Sequence, residues 1–343
     1  MLLQQKNHSY FVIIAVILIP LIIFSGLSLG SVKYAFENAV SCFVGKCQDK
    51  VMENIIWKIR IPRTLAAIIG GAGLAVAGTL LQALFRNPLA SDSILGISSG
   101  ASLAVALLIM GGMSLGFQLY SQSLEAIFIA SFAGAILTML VIMAIIPALS
   151  NTTTLLLVGL MISFVLSSII SVLGIMAEAA NLQVFYTWTL GSFSGITWSA
   201  LNYLYIIIPS TILASYMIYK SLDASLLGEG YATSIGVRSK SLRNKVVILS
   251  SVLSAVVIAT AGPVGFIGIA GPYLARLTTR SGSHRITIPV SAIFGALITG
   301  GADIVARIIM PPIDLPISSI TAVIGAPLII SILIRKKGEG LSQ

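Results

Sequence analysis

Apolar runs long enough to cross a bilayer recur along this sequence, and that recurrence leaves few folds open. A hydrocarbon core about 30 Å thick takes roughly 20 apolar residues per helix, and backbone polar groups inside lipid must be satisfied within the segment. Ten candidate runs lie near residues 10–29, 62–84, 94–112, 124–149, 155–176, 202–219, 246–261, 266–278, 288–309 and 316–334. Composition agrees: 57% of the 343 residues are apolar and 9% are charged, whereas a soluble domain carries about 25% charged residues. The expected fold is an all-α polytopic membrane protein, one transmembrane unit over residues 1–343 with about ten helices. The first run follows Lys6. At about 20 residues it exceeds a signal-peptide core and no small-residue cleavage pattern follows, so it reads as a retained helix.

Lysine and arginine placement sets the expected orientation. With the N-terminus in the cytoplasm, Lys6, Arg86, the basic residues from Lys220 to Lys245, Arg276, Arg280, Arg285 and Arg335 to Lys337 all fall inside. The outside holds Lys33, Lys46, Lys50, Lys58, Arg60, Arg63 and Arg307. Both termini are therefore expected in the cytoplasm. The net charge of +9 sits in loops without interleaved aromatics, which suits a bilayer and not a nucleic acid. Cys42 and Cys47 fall in the first outer loop, where a disulfide and two free thiols are both open readings. Small residues at four-residue spacing (Ala67, Gly71, Ala75; Gly96, Gly100, Ala104) read as helix-packing surfaces.

Enzyme chemistries lack their parts. Gly96-Ile-Ser-Ser-Gly100 matches a serine-nucleophile pattern, but the only histidines are His8 in the N-terminal tail and His284 in a basic loop. A serine nucleophile needs a base within hydrogen-bond reach. An aspartyl protease would need two facing aspartates, and Asp303 is the one clear candidate inside a run. Neither a zinc-protease helix motif nor a phosphate-binding loop occurs, so ATP, if used, binds to another chain. No metal site is expected. Asp303 and Arg307 stand four apart with the acid first, the favourable order for a helical pair. They read either as a self-neutralised pair or as part of an ion path.

Two polar segments look made for partners. In Arg60-Ile-Pro-Arg63, Pro62 suits a first helical position, and two arginines at the positive end of a helix dipole are unfavourable unless anions meet them. An acidic partner and lipid phosphates are both open readings. The second segment is the connection 221–245. Within it, residues 222–237 read as two short amphipathic helices hinged at Gly228 and Gly230, with Leu226, Leu227, Tyr231 and Ile235 as apolar anchors for another protein.

Eight motifs in order carry a family resemblance: Arg60-Ile-Pro-Arg-Thr-Leu-Ala; Gly78 through Gln82-Ala-Leu-Phe-Arg-Asn-Pro-Leu-Ala90; Leu95-Gly-Ile-Ser-Ser-Gly-Ala101; Trp188-Thr-Leu-Gly-Ser-Phe193; Leu227-Gly228 with Ala232 and Ile235-Gly-Val237; Gly262-Pro-Val-Gly-Phe-Ile-Gly268; Gly301-Ala-Asp-Ile-Val-Ala-Arg307; and Leu315-Pro316 with Gly325-Ala-Pro327. The chain resembles the FecCD family of ABC-transporter permeases, importers of ferric siderophores, haem and cobalamin. The resemblance implies the type II ABC importer permease architecture, with a second permease subunit (homodimer or close paralogue) around a shared path. It implies that Arg60, Arg63 and Arg307 dock an extracytoplasmic substrate-binding protein. It places ATPase coupling on Leu226, Leu227, Gly228, Glu229, Ala232 and Gly236, and the cytoplasmic gate on Asn87, Thr152 and Thr153. ATP and Mg would sit on partner ATPase subunits, with no cofactor on this chain. Tyr273, Asp92, Asp314 and Ser318 depart from the family pattern.

A path of small, apolar and hydroxyl side chains suits a bulky chelate better than a bare cation, which would need carboxylate ligands. A ferric siderophore is the expected cargo, with haem or cobalamin next. The competing class is a proton-coupled secondary transporter, which the thin carboxylate content weakens. The expected location is the bacterial inner membrane.

Overall fold

The computed structural model describes residues 2–327 apart from 31, 33, 48, 112–122, 150, 151 and 324. Expectations for Lys33, for the end of the tenth run and for Arg335 to Lys337 lie outside the described residues.

Helix α1 spans Leu2–Ser28, followed by the short α2 (Phe36–Phe43) and α3 (Lys50–Asn54). Asp49 caps α3 by accepting from the Met52 N–H at 2.6 Å. One π-helical turn, Ile55–Arg60, then runs without a break into α4 (Ile61–Phe85). Pro62 therefore lies inside one continuous helix, Lys50–Phe85, and not at a free helix start; its missing N–H leaves one intrahelical bond unmade just after the π-helical turn. Arg86, left-handed at φ 49°, ends the helix just before Asn87 and Pro88. Next come α5 (Ile97–Gly111), α6 (Leu124–Ile145), α7 (Thr152–Met176), α8 (Ala179–Thr189) and α9 (Trp198–Met217). The chain continues through α10 (Tyr219–Leu226), α11 (Glu229–Ser234), α12 (Ser239–Ala261), α13 (Ile267–Thr279) and α14 (His284–Ile308), and a last apolar helix begins at Ile317.

Among the described residues, six helices are long and apolar enough to cross a membrane: Lys50–Phe85, Leu124–Ala148, Thr152–Met176, Trp198–Met217, Ser239–Ala261 and His284–Ile308. The apolar helices Val12–Ser28, Ile97–Gly111 and Ile317–Pro327 are shorter. Within the described residues each of the ten runs contains helix, but the runs near 10–29, 94–112 and 316–334 give only shorter apolar helices, so ten full spans are not seen, and the shortfall is clearest in the run near 266–278. Its 13 residues in α13 reach only about 20 Å at 1.5 Å per residue. Gly262 and Phe266, at φ 72° and 69°, unwind the backbone between α12 and α13. That stretch is held by other elements, with Ser318 and Thr321 hydroxyls donating to the carbonyls of Pro263 (2.8 Å) and Gly265 (3.0 Å).

Helix α4 lies at the centre, buried along nearly its whole length. It crosses α14 where the Gly71 and Gly295 backbones meet; a Cβ on either would overlap the other's carbonyl oxygen. Gly78 meets the Gly268 backbone of α13 in the same way. Helices α5 and α6 approach through Gly100, Ala104 and Gly134. Close backbone approach of this kind gains dispersion contacts where no hydrophobic force separates protein from lipid. Gly96 serves differently: left-handed at φ 75°, it turns the chain into α5. The face of α7 bearing Phe164, Val165, Val172 and Ile175 points away from the rest of the chain. Beside α1, Cys42 and Cys47 form a disulfide, and Phe43 stacks on Trp57 with centroids 5.8 Å apart.

Candidate functional site: an arginine end and a loop end

Two groups of side chains gather at opposite ends of α4 and α14. At the first, the π-helical turn and α4 deliver Arg60 and Arg63, and the last turn of α14 delivers Arg307. Arg63 donates through Nε to Asp303 Oδ1 at 2.8 Å and through Nη1 to Asp314 Oδ2 at 2.6 Å. Arg307 donates through Nε to Asp303 Oδ2 at 3.0 Å, and also reaches Thr64 Oγ1 (2.9 Å) and the Gly26 carbonyl (3.1 Å). Arg60 donates to the carbonyls of Leu27 and Val32 and lies 5.0 Å over the Tyr34 ring.

The three arginines therefore converge, but not as an exposed basic patch. They are 5%, 6% and 4% exposed. Three cations and two carboxylates leave one unit of positive charge in a buried network. Their burial has a simple cause. An arginine fork away from water needs fixed acceptors, and Asp303, Asp314 and four neutral oxygens supply them. Only the Asp314 side chain, 31% exposed, opens this network toward its surroundings.

At the other end, α10 and α11 fold back beneath α4 and α12. Gly228 sits at φ 119°, ψ 152°, a region essentially closed to residues with a Cβ, and Gly236 turns into α12 at φ 89°. The hinge is Leu227-Gly228; Gly230 lies inside α11 and is not a hinge. Leu226, Leu227, Tyr231 and Ile235 are 45–69% exposed. Ala232 is not: at 1% exposure it faces inward. Glu229 opens α11, and its side chain lies outside the described residues. The connection 221–245 is mostly helical, since α12 already starts at Ser239.

A cavity of about 240 Å³ lies between these helices, lined among others by Phe85, Arg86, Thr152, Thr153, Ser225 and Arg243. Thr152 and Thr153 thus sit over the loop helices. Asn87 does not line the cavity; its Oδ1 accepts from the Leu89 N–H at 3.0 Å and shapes the turn after α4.

Asp223 of α10 accepts at Oδ1 from the His284 N–H (2.6 Å) and at Oδ2 from the Ser283 hydroxyl (2.7 Å). The His284 ring nitrogen Nδ1 lies 2.7 Å from Oδ1. Partial burial pushes the Asp223 carboxyl up, but these bonds outweigh it and hold the pKa below the ordinary carboxylate value. His284 is thus committed to Asp223 and cannot serve Ser98, whose hydroxyl donates to Asp92 at 3.3 Å. Among the described residues no His, Cys, Asp and Glu cluster could hold a metal ion.

The model of the FecCD transport family matches residues 16–335. This chain belongs to the FecCD transport family. FecCD relatives include the hemin transport system permease protein of Yersinia pestis, 31% identical over 94% of this chain and 95% of the relative. Another is the vitamin B12 import system permease protein of Klebsiella pneumoniae, 34% identical over 83% of this chain and 84% of the relative. A solved inward-facing ABC transporter assigned to the metal-chelate type superposes with a TM-score of 0.83 at 27% identity, covering 96% of this chain and 99% of that one. Family membership makes the chain a membrane transport subunit and not an enzyme.

Within this FecCD subunit, sequence reasoning found Asp303 through its four-residue spacing from Arg307 but missed Asp314 and Asp223 as organising groups. Asp314 lies 251 residues from Arg63, and Asp223 lies 61 from His284. No local signal marks pairs so far apart.

Proposed function

We propose that this chain is the permease subunit of an ATP-binding-cassette importer of the metal-chelate type, moving a ferric siderophore across the bacterial inner membrane. The single observation that carries the reading is the pair of short helices α10 and α11. They offer exposed Leu226, Leu227, Tyr231 and Ile235 at one end of a membrane bundle, far from the arginine network at the other. Exposed apolar side chains beside a glycine hinge, outside any helix long enough to span, fit a groove on a soluble partner. That partner is the ATPase, which binds ATP and Mg. Leu226, Leu227, Gly228, Glu229 and Gly236 are the contact and hinge positions, and Ala232 packs behind them.

In this reading the arginine end faces outward and both termini lie in the cytoplasm. Acidic residues of a substrate-binding protein would approach through Asp314 and compete with it for Arg63, while Arg60 and Arg307 hold the surrounding field positive. Asn87, Thr152 and Thr153 flank the inner mouth, and a second permease subunit completes the path. The haem and cobalamin permeases among the relatives share this cargo chemistry, a bulky chelate carried whole. The binding-protein partner decides between them. Loaded with ferric siderophore, it should stimulate the ATPase of the reconstituted complex. Stimulation by haem- or cobalamin-loaded protein alone would replace the siderophore.

A further inference from the structure

Helix α10 continues from α9 through Ile218, and two side-chain links tie it to the rest of the membrane bundle. Asp223 clamps it to the start of α14 through the three contacts described above. Arg86, at the end of α4, donates through Nη2 to the Ser225 carbonyl of α10 at 2.7 Å. From these ties α4 and α14 run side by side toward the arginine end. They stay in register through the Gly71–Gly295 contact and a 2.9 Å bond between Thr79 Oγ1 and Ser291 Oγ. At the far end they are joined again by Arg63 and Asp303. Three links close a frame: Asp223 joins α10 to α14, the Asp303–Arg63 pair joins α14 to α4, and Arg86 joins α4 back to α10.

Between the clamp at His284 and the ion pair at Asp303 the frame runs along α14 for about 30 Å at 1.5 Å per residue. Pro289 removes one backbone bond near the Asp223 end, and the helix then continues to Ile308 without another proline. A packed helix pair with glycine contacts on both sides cannot slide or bend without losing those contacts. Displacement at α10 that is carried by these ties, and not absorbed in α9 through Ile218, appears at Arg63 and Arg307. The clamp is the stronger tie to α10, because its acceptor is a carboxylate taking two hydrogen bonds from the capping residues of α14.

We propose that Asp223 is the positioning residue that carries movement of α10 and α11 into the α4–α14 frame and so to the buried arginine network. This rests on reading α10 and α11 as the ATPase-facing helices. It makes the two ends of the subunit one mechanical element with both sites biasing its position, the physical requirement for coupling between distant sites.

The test uses the assembled permease–ATPase complex in lipid, with spin labels at Met310→Cys beyond α14 and Met176→Cys at the end of α7. Both positions are exposed, and the native cysteines are joined in the disulfide. The distance between labels is measured without nucleotide and with ATP plus vanadate. The parent should show a nucleotide-dependent shift. Asp223→Ala should abolish that shift while the ATPase still co-purifies, and Asp223→Asn, which keeps an oxygen opposite the His284 N–H, should restore part of it. An unchanged shift in Asp223→Ala, or no shift in the parent, overturns the proposal. If Asp223→Ala does not accumulate, Ser283→Ala removes one of the bonds to the carboxylate and should reduce the shift; an undiminished shift overturns the proposal equally. Failure of the underlying reading is separate: a Leu226→Asp/Leu227→Asp variant that still retains the ATPase would show that α10 and α11 are not its docking site.

Discussion

Asp303 offers the sharpest energetic test of the arginine network. Its carboxylate is 1% exposed and accepts from both Arg63 and Arg307. Asp303→Ala leaves Arg307 with only a threonine hydroxyl and the Gly26 carbonyl, and Arg63 with Asp314. The buried cluster then goes from one unit of uncompensated positive charge to two. Removing one partner of a buried ion pair costs about 3–5 kcal/mol. Since Arg63 keeps one carboxylate, the lower value, about 3 kcal/mol, is expected. That corresponds to about a hundredfold in the folding equilibrium. An Asp303→Leu/Arg307→Met double variant removes the pair together, and apolar replacement of a whole buried pair is often close to neutral. The double variant should therefore be the more stable of the two. Reversible unfolding in mixed micelles, followed by denaturant titration, measures both. A single variant within about 1 kcal/mol of the parent would refute the reasoning, and a double variant as unstable as the single one would show that shape, not charge, sets the cost.

Two further perturbations probe the backbone. Gly78→Leu places side-chain atoms inside the Gly268 backbone, so membrane yield should collapse, whereas Gly301→Ala, on α14 with open space around it, should accumulate like the parent. Gly236→Val meets no steric neighbour but must hold φ near 89°, a left-handed cost of about 1–2 kcal/mol. The variant should assemble with the ATPase yet import less cargo per ATP, and an unchanged ratio would remove Gly236 from the coupling role.

The helices were legible because bilayer thickness imposes a run length that composition alone reveals, and because Asn87-Pro88 marks the end of α4, whereas Pro62, read as a first helical position, lies inside the continuous helix Lys50–Phe85. The half-length of α13 was not, since apolar side chains continue across a stretch whose break lies in the backbone angles of Gly262 and Phe266. Helix α8 went unforeseen because its mixed polar sequence carries no strong periodicity. Arg60 and Arg63 were legible as unfavourable charges at a helix start, open to an acidic partner or to lipid phosphates, and only the family resemblance joined Arg307 to them as a docking group. Their partner Asp303 lies 240 residues from Arg63, so the compensation that buries them becomes visible only when α4 and α14 pack. The disulfide was one of two open readings, and proximity of Cys42 and Cys47 across the turn after α2 decides it.

The central claim is that transport by this subunit is driven by ATP on a partner. Uptake of radiolabelled ferric siderophore into proteoliposomes containing the permease, its ATPase and the loaded binding protein tests it directly. Uptake should require MgATP in the ATPase-bearing compartment, vanish when the ATPase is omitted, and be indifferent to an imposed proton gradient. Accumulation driven by the proton gradient in vesicles lacking the ATPase would contradict the account and identify a secondary transporter instead.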